Sequence, residues 1–330
     1  MKTTSVETNG IRMQVREAGA GPLVVLLHGF PELGYSWRHQ IAALADAGYR
    51  VVAPDQRGYG GTDRPAAPEA YTLCHLAGDI VGLVHALGEE RAAVIGHDWG
   101  SAVAWTCALL RPDIFQALGL LSVPYLSEFW GGPPPSAIMK QLLAGGQMLY
   151  QLYFQEPGKA DADLAQDPRR SLLGLFAGAG GGMPVERRWR FLYPASEAFL
   201  DTLPKVDKLP TWLSEEELRF FVAEFTRTGF TGGLNWYRNM DRDGELLAFL
   251  AGSKIRQPSI FMAGEEDLVI GMYRRDYERL EETMPGLTQK TIVPGAGHWI
   301  QQECPGEVTG RLLHFLFTTY PAGTARGMEA

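Results

Sequence analysis

Gly96-His97-Asp98-Trp99-Gly100 sets a carboxylate between two glycines, directly after the apolar run Ala92 to Ile95 and directly before a helical stretch from Ser101. A strand, a sharp turn and a helix, with small residues two before and two after the central one, make a nucleophile elbow. Glycine is required at both flanks because the turn brings strand and helix too close for a Cβ. Ala102 and Ala104 then keep the helix near the sheet. An Asp that merely caps a helix is the commoner occurrence, but the paired glycines and the buried strand favour the elbow. Most elbows carry serine; this one carries aspartate. A carboxylate does little to an amide or ester carbonyl, whereas it can displace a leaving group at an sp³ carbon and leave an alkyl ester on the protein. The positive end of the following helix lies beneath that carboxylate. Releasing the ester requires an activated water and an oxyanion hole.

The partners follow from chain order, which in elbow enzymes runs nucleophile, acid, histidine. His298 sits in the glycine-rich loop Gly295-Ala296-Gly297-His298-Trp299, just after the strand-like Gln289 to Val293. Of the seven histidines only His314 lies later, and it falls within an amphipathic helical pattern. The acid belongs near the end of the preceding strand, Ser259 to Ala263. Gly264-Glu265-Glu266-Asp267 offers three carboxylates there, of which Asp267 is best placed for a turn beyond the strand. Glu265 and Glu266 read as solvated loop charges. His28-Gly29-Phe30-Pro31, straight after the apolar run Leu23 to Leu27, can supply the oxyanion hole. In such an arrangement the backbone N–H groups of Trp99 and Phe30 point at the same oxygen.

The elements that must carry these residues are legible from hydrophobic period. Asn9-Gly10 is a two-residue turn signal opening a hairpin, and Ile11, Met13 and Val15 alternate after it. Leu23 to Leu27, Val51 to Ala53, Ala92 to Ile95 and Ala117 to Ser122 are continuous apolar runs, as expected for strands buried on both faces. Helical patterns lie between them: Tyr35 to Ala47 ending at Gly48, Leu73 to Leu87 ending at Gly88, and Ser101 to Leu110 stopped near Pro112. This alternation predicts a parallel sheet wrapped by helices. From about Leu126 to Asp243 no buried-strand run occurs, only helical patterns, aromatics and breakers such as Gly131-Gly132-Pro133-Pro134-Pro135 and Gly178 to Gly182. Within it, Ser214 with Glu217 forms a capping box opening a helix through Phe225. Alternation resumes with Ser259 to Ala263, a helix from Asp276 to Thr283, Gln289 to Val293 and a helix from Glu307 to Phe317. The expected division is a core domain of residues 1–125 and 244–330 with a helical cap domain at 126–243.

Bulk properties narrow the function classes. The chain has 330 residues, a formal net charge of −8 and an ordinary globular composition, so no basic footprint for nucleic acid is present. No apolar run approaches a membrane span, and MKTTSVETNG contains no apolar core of a signal peptide. Cys74, Cys107 and Cys304 are odd in number and widely spaced, which suits free thiols in the cytoplasm. They lack metal-ligand spacing, no HExxH occurs, and Gly58-Tyr59-Gly60-Gly61 is no dinucleotide fingerprint. The expectation is an enzyme without metal or cofactor, acting as a monomer or homodimer on a small molecule.

With its His28-Gly29-Phe30-Pro31, Gly96 to Gly100 and Gly297-His298-Trp299 segments, the chain resembles the soluble epoxide hydrolases. The resemblance extends to Tyr150-Gln151-Leu152-Tyr153-Phe154-Gln155-Glu156-Pro157-Gly158 and Leu234-Asn235-Trp236-Tyr237-Arg238-Asn239-Met240, which look like that family's two lid segments. It runs from about Gly21 to Leu316. It implies an α/β-hydrolase fold, a mostly parallel sheet flanked by helices with an inserted helical cap, and hydrolysis of epoxides to vicinal diols through an alkyl ester on Asp98. It further implies that Tyr150 and Tyr237 hydrogen-bond the epoxide oxygen, that Phe30, Pro31, Trp99, Phe154, Trp236 and Trp299 line the pocket, and that the Phe30–Pro31 bond is cis. Spacing alone makes Tyr150, Tyr153 and Phe154 an aromatic core stripe. The chemical case for a phenol is separate: ring opening develops charge on oxygen, which a neutral acid stabilises. Ser101 stands where many relatives have another glycine, and Gly178 to Gly182 matches none of the family's motifs.

Dehalogenases of the same fold are the rival reading. Their haloalkane branch has asparagine where Phe30 stands, and their fluoroacetate branch follows its nucleophile with arginine, where this chain has Trp99. Neither carries the tyrosine pair. A non-catalytic ligand-binding member of the fold is a third reading, opposed by the complete set Asp98, Asp267, His298, Tyr150 and Tyr237.

Overall fold

Asn9 and Gly10 both take positive φ, 43° and 76°, and so close the tight hairpin between strands β1 (Lys2–Thr8) and β2 (Ile11–Ala18). The computed structural model describes residues 1–143 and 145–322. After the hairpin the chain alternates: β3 (Leu23–Leu27), helix α1 (Arg38–Asp46), β4 (Arg50–Pro54), α2 (Leu73–Ala86), β5 (Ala92–His97), α3 (Trp99–Leu110) and β6 (Phe115–Leu121). A stretch of 3-10 helix, Gly34–Trp37, leads into α1, where a single helix from Tyr35 was expected.

Between β6 and the next sheet strand lies a helical insertion: α4 (Pro135–Leu142), α5 (Tyr150–Tyr153), α6 (Lys159–Ala165), α7 (Pro168–Ala179), α8 (Phe199–Thr202), α9 (Glu215–Thr228), α10 (Thr231–Arg238) and α11 (Met240–Leu246). The capping box predicted at its middle is formed. Ser214 Oγ accepts the Glu217 N–H at 3.2 Å while the Glu217 carboxylate accepts the Ser214 N–H at 2.8 Å, and α9 runs three residues past Phe225 to stop at Gly229. The insertion also holds a short antiparallel ribbon, β7 (Gln147–Leu149) with β8 (Leu192–Pro194), which hydrophobic period did not reveal. Three residues per strand are too few to establish a period.

The sheet resumes with β9 (Ser259–Gly264) and β10 (Leu287–Val293). An unexpected helix α12 (Leu268–Met272) follows β9, and the helix expected at Asp276 to Thr283 is broken at Arg279 into α13 (Arg274–Glu278) and α14 (Leu280–Thr283). The one-turn α15 (Ile300–Glu303) and the long α16 (Pro305–Thr319) complete the core. Strand order is β1-β2-β4-β3-β5-β6-β9-β10, with every pair from β4 to β10 parallel.

Alternate residues of each central strand face opposite layers. On β3, Leu23, Val25 and Leu27 pack with α2 and α3, while Val24 and Leu26 pack with α1 and α16. The same two-residue period holds on β5 and β9, which explains why these strands read as unbroken apolar runs. Among the described residues, no helix is long and apolar enough to cross a membrane.

Candidate active site

The carboxyl ends of β3, β5 and β9 converge, and each is followed by one of the loops read from the sequence. Asp98 sits between β5 and α3 with φ 52° and ψ −123°, a region that side-chain-bearing residues rarely adopt. The surrounding packing enforces it. A Cβ on Gly96 would overlap the Gly100 carbonyl, and one on Gly100 would overlap the carbonyl oxygen of Leu27 at the end of β3. Ser101, where a further glycine was the common alternative, is fully buried and donates to the carbonyls of Gly96 (2.9 Å) and Leu121 (3.1 Å), tying the ends of β5 and β6 to the elbow.

The Phe30 N–H donates to Asp98 Oδ1 at 2.9 Å, so half of the expected oxyanion hole already grips the carboxylate. The Phe30–Pro31 peptide bond is cis. His28 shapes this loop rather than the chemistry: its Nδ1–H donates to the Gly29 carbonyl and its Nε2 accepts the Gln56 N–H. Asp98 Oδ2 faces His298 Nε2 at 3.5 Å. On the far side of the ring, Nδ1 lies 3.1 and 3.2 Å from the two oxygens of Asp267, whose Oδ1 also caps α12 through the Val269 N–H. Burial acts to lower the pKa of His298, but the charges of Asp267 and Asp98 outweigh it and hold the imidazole well above its ordinary value.

The His298 backbone is pinned by groups that sequence reasoning missed. Its carbonyl accepts from Ser122 Oγ at 2.8 Å and from His97 Nε2 at 2.7 Å. His97 Nδ1 lies 2.7 Å from Glu32, a carboxylate without solvent exposure that also accepts from Gly29, Gln301 and Gln302. Both ring nitrogens of His97 therefore face oxygen atoms. Burial pushes the Glu32 carboxyl up, yet the neighbouring His97 ring more than compensates and pulls it down to about 2. His97 lies inside the elbow motif and Glu32 directly follows His28 to Pro31, but their pairing is visible only once the fold brings β5 beside the loop after β3.

Tyr150 and Tyr237, from α5 and α10, bring their rings to 6.1 Å centroid separation. Both phenols are pushed well above their usual pKa, first by burial and then by neighbours that include Asp98, so both are neutral donors. Two adjoining cavities share Asp98, Tyr150, Tyr237 and Val269. One is lined further by Trp99, Trp105, Leu126, Phe129 and Met240, the other by Phe30, Pro31, Leu175, His298 and Trp299. Phe154 and Trp236, expected on the pocket wall, stand behind it. Phe154 packs on Tyr237 and Phe199, and Trp236 donates its indole N–H to the Arg57 carbonyl at 3.1 Å. Gln151 and Tyr273 face the first cavity instead, joined by a 3.2 Å hydrogen bond. Glu265 is the exposed loop charge expected, accepting only the Gly295 N–H, whereas Glu266 is half-buried and pairs with Arg188 of the insertion.

An elbow aspartate, a histidine–aspartate pair and an N–H-lined loop on a doubly covered sheet define an enzyme of the α/β-hydrolase fold. Residues 22–177 match the family model described as alpha/beta hydrolase fold. The chain is 51% identical to Epoxide hydrolase A of Mycobacterium tuberculosis over 313 residues, 94% of this chain and 96% of that protein. The crystal structure of Epoxide Hydrolase A from Mycobacterium thermoresistibile superposes with a TM-score of 0.89 at 51% identity, covering 96% of this chain and 98% of the other. An epoxide hydrolase from an endophytic Streptomyces gives 0.92 at 46% identity, covering 96% and 95%. This chain belongs to the epoxide hydrolases and is a hydrolase.

Proposed function

We propose that the chain converts epoxides to vicinal diols in two steps, with Asp98 as nucleophile and His298 as base. Asp98 Oδ2 attacks a ring carbon, the carbon–oxygen bond of the epoxide breaks, and a phenol of Tyr150 or Tyr237 donates its proton to the departing oxygen. The product is an ester on Asp98 whose carbonyl oxygen stays on the Phe30 N–H, with Trp99 N–H as the second donor of the oxyanion hole. Forming the ester removes the negative charge of Asp98 from beside His298, so one of the two influences holding its proton disappears. The neutral imidazole, oriented by Asp267, then takes a proton from water, which adds to the ester carbonyl. Collapse of the tetrahedral adduct expels the second oxygen of the diol, which takes the proton held by His298. The proton left on the reformed Asp98 carboxyl returns through solvent to the phenolate, which regenerates the carboxylate and the phenol.

The observation that carries this reading is the shared cavity: a carboxylate on an N–H donor and two neutral phenols line the same space. Phenols suit a developing alkoxide; a halide would find no amide side chain at position 30. In this reading the core, residues 1–125 and 244–330, supplies nucleophile, base and acid, while the cap, 126–243, supplies the proton donors. The three free thiols Cys74, Cys107 and Cys304 support a cytoplasmic location.

A single turnover in ¹⁸O-labelled water tests the covalent route. The first diol released should carry oxygen from unlabelled Asp98, and Asp98→Asn should abolish turnover with the fold retained. A first diol fully labelled from solvent would replace the ester by direct attack of water.

A further inference from the structure

The glycine-rich stretch of the cap lies against the loop that carries His298. Ala179, the last residue of α7, accepts the His298 N–H at 2.9 Å, using a carbonyl that a helix end leaves without an internal partner. Phe176, one turn earlier, accepts the Trp299 indole N–H at 2.9 Å. Beyond α7 the two backbones touch directly. A Cβ on Gly181 would overlap the Gly295 carbonyl oxygen, and one on Gly297 would overlap the Gly181 nitrogen, so neither position admits a side chain.

Glu303 closes this contact from the core. Its Oε2 accepts the N–H of Gly181 and of Gly297, each at 2.8 Å, and its Oε1 accepts the N–H of Trp299 at 2.8 Å. One donor comes from the cap and the other two from the residues on either side of His298. The acid loop is tied to the same stretch, since Gly182 N–H donates to Glu266 at 2.9 Å and Arg188 pairs with Glu266 next to Asp267.

We propose that Glu303 and the Gly180–Gly182 stretch together position His298, so that the docked cap fixes where the base stands relative to Asp98. Asp267 sets the rotation of the imidazole, but only the loop backbone sets its distance from Asp98. That distance is already 3.5 Å, and displacement by another ångström costs on the order of 10²-fold in rate. Glu303 touches no reacting atom and is a positioning residue. The inference rests on the two-step reading above, because it concerns the step that needs the base.

Glu303→Gln and Gly181→Ala approach the contact from opposite sides. Glu303→Gln turns an amide toward N–H groups that need an acceptor, and Gly181→Ala leaves every polar group in place while wedging the backbones apart. Each variant, mixed with styrene oxide and quenched over time, is read by intact mass for adduct formation and adduct decay. Adduct should form within about two-fold of the wild-type rate and decay about 10²-fold more slowly, so that it accumulates. The double variant should decay no more slowly than the worse single one, the mark of a shared contact. Wild-type decay in both variants, or formation and decay falling together, overturns the proposal. If Glu303→Gln fails to fold, Gly181→Ala alone decides. His298→Gln serves as the reference: its arrested adduct upholds the covalent reading whatever the two variants do. Absence of both adduct and diol in wild type and reference would overturn that reading and this proposal with it.

Discussion

Tyr150 and Tyr237 are two neutral donors to one cavity, so each is expected to cover in part for the other. Tyr150→Phe or Tyr237→Phe should slow adduct formation by about 1–3 kcal/mol each, and the double change should cost more than the sum. Rapid-quench rates of adduct formation check this, and full activity in the double variant would remove the phenols from the mechanism. In the proposed mechanism Asp267 bears on the other step. Its charge is the main influence raising the His298 pKa against burial, and the base works only when neutral, above that pKa. Asp267→Asn should therefore move the acid limb of ester decay to lower pH while lowering its plateau, read as decay of preformed adduct against pH; a limb that stays or moves up would contradict the assignment. Asp98, Asp267 and His298 were legible because each sits in a short contiguous motif at the end of a strand. Glu32 and His97 were not, since their pairing joins residues 65 positions apart. Phe154 and Trp236 show the opposite failure: membership of a lid segment does not say which side of it faces the cavity.

Elements were legible where apolar period persists over a full strand or several helical turns. β3 was read to the residue, and α2 and α16 to within two at either end. The three-residue ribbon and the fragments between β9 and β10 carry too few residues for a period, and their geometry follows from tertiary contacts such as Tyr273 against Gln151. The elbow is the element most constrained by its glycines. Gly100→Ala would force α3 away from the end of β3, with an expected loss of about 3 kcal/mol or more and loss of adduct formation. Gly310→Ala within α16, where a Cβ meets nothing, should instead stabilise by about 0.5–1 kcal/mol. Urea unfolding of both variants separates these outcomes; equal stabilities would show that close approach does not dictate glycine at the elbow.

Across the whole molecule, the groups of the proposed first step and those of the second are carried by different surfaces. Asp98 and the phenols meet at the elbow and the insertion, whereas His298 stands on a core loop after β10 against which the insertion docks. A sequence reader sees the two layers of the sheet and the break in rhythm between them, but not that Gly178 to Gly182 returns to the His298 loop. Under the proposed two-step mechanism, a chain in which that loop slips keeps its appetite for electrophiles and loses its ability to let go of them. Such a protein is a titrant: it removes one molecule per copy and is then spent, so protection against a reactive compound scales with the number of chains made, while the intact arrangement lets a few copies serve indefinitely.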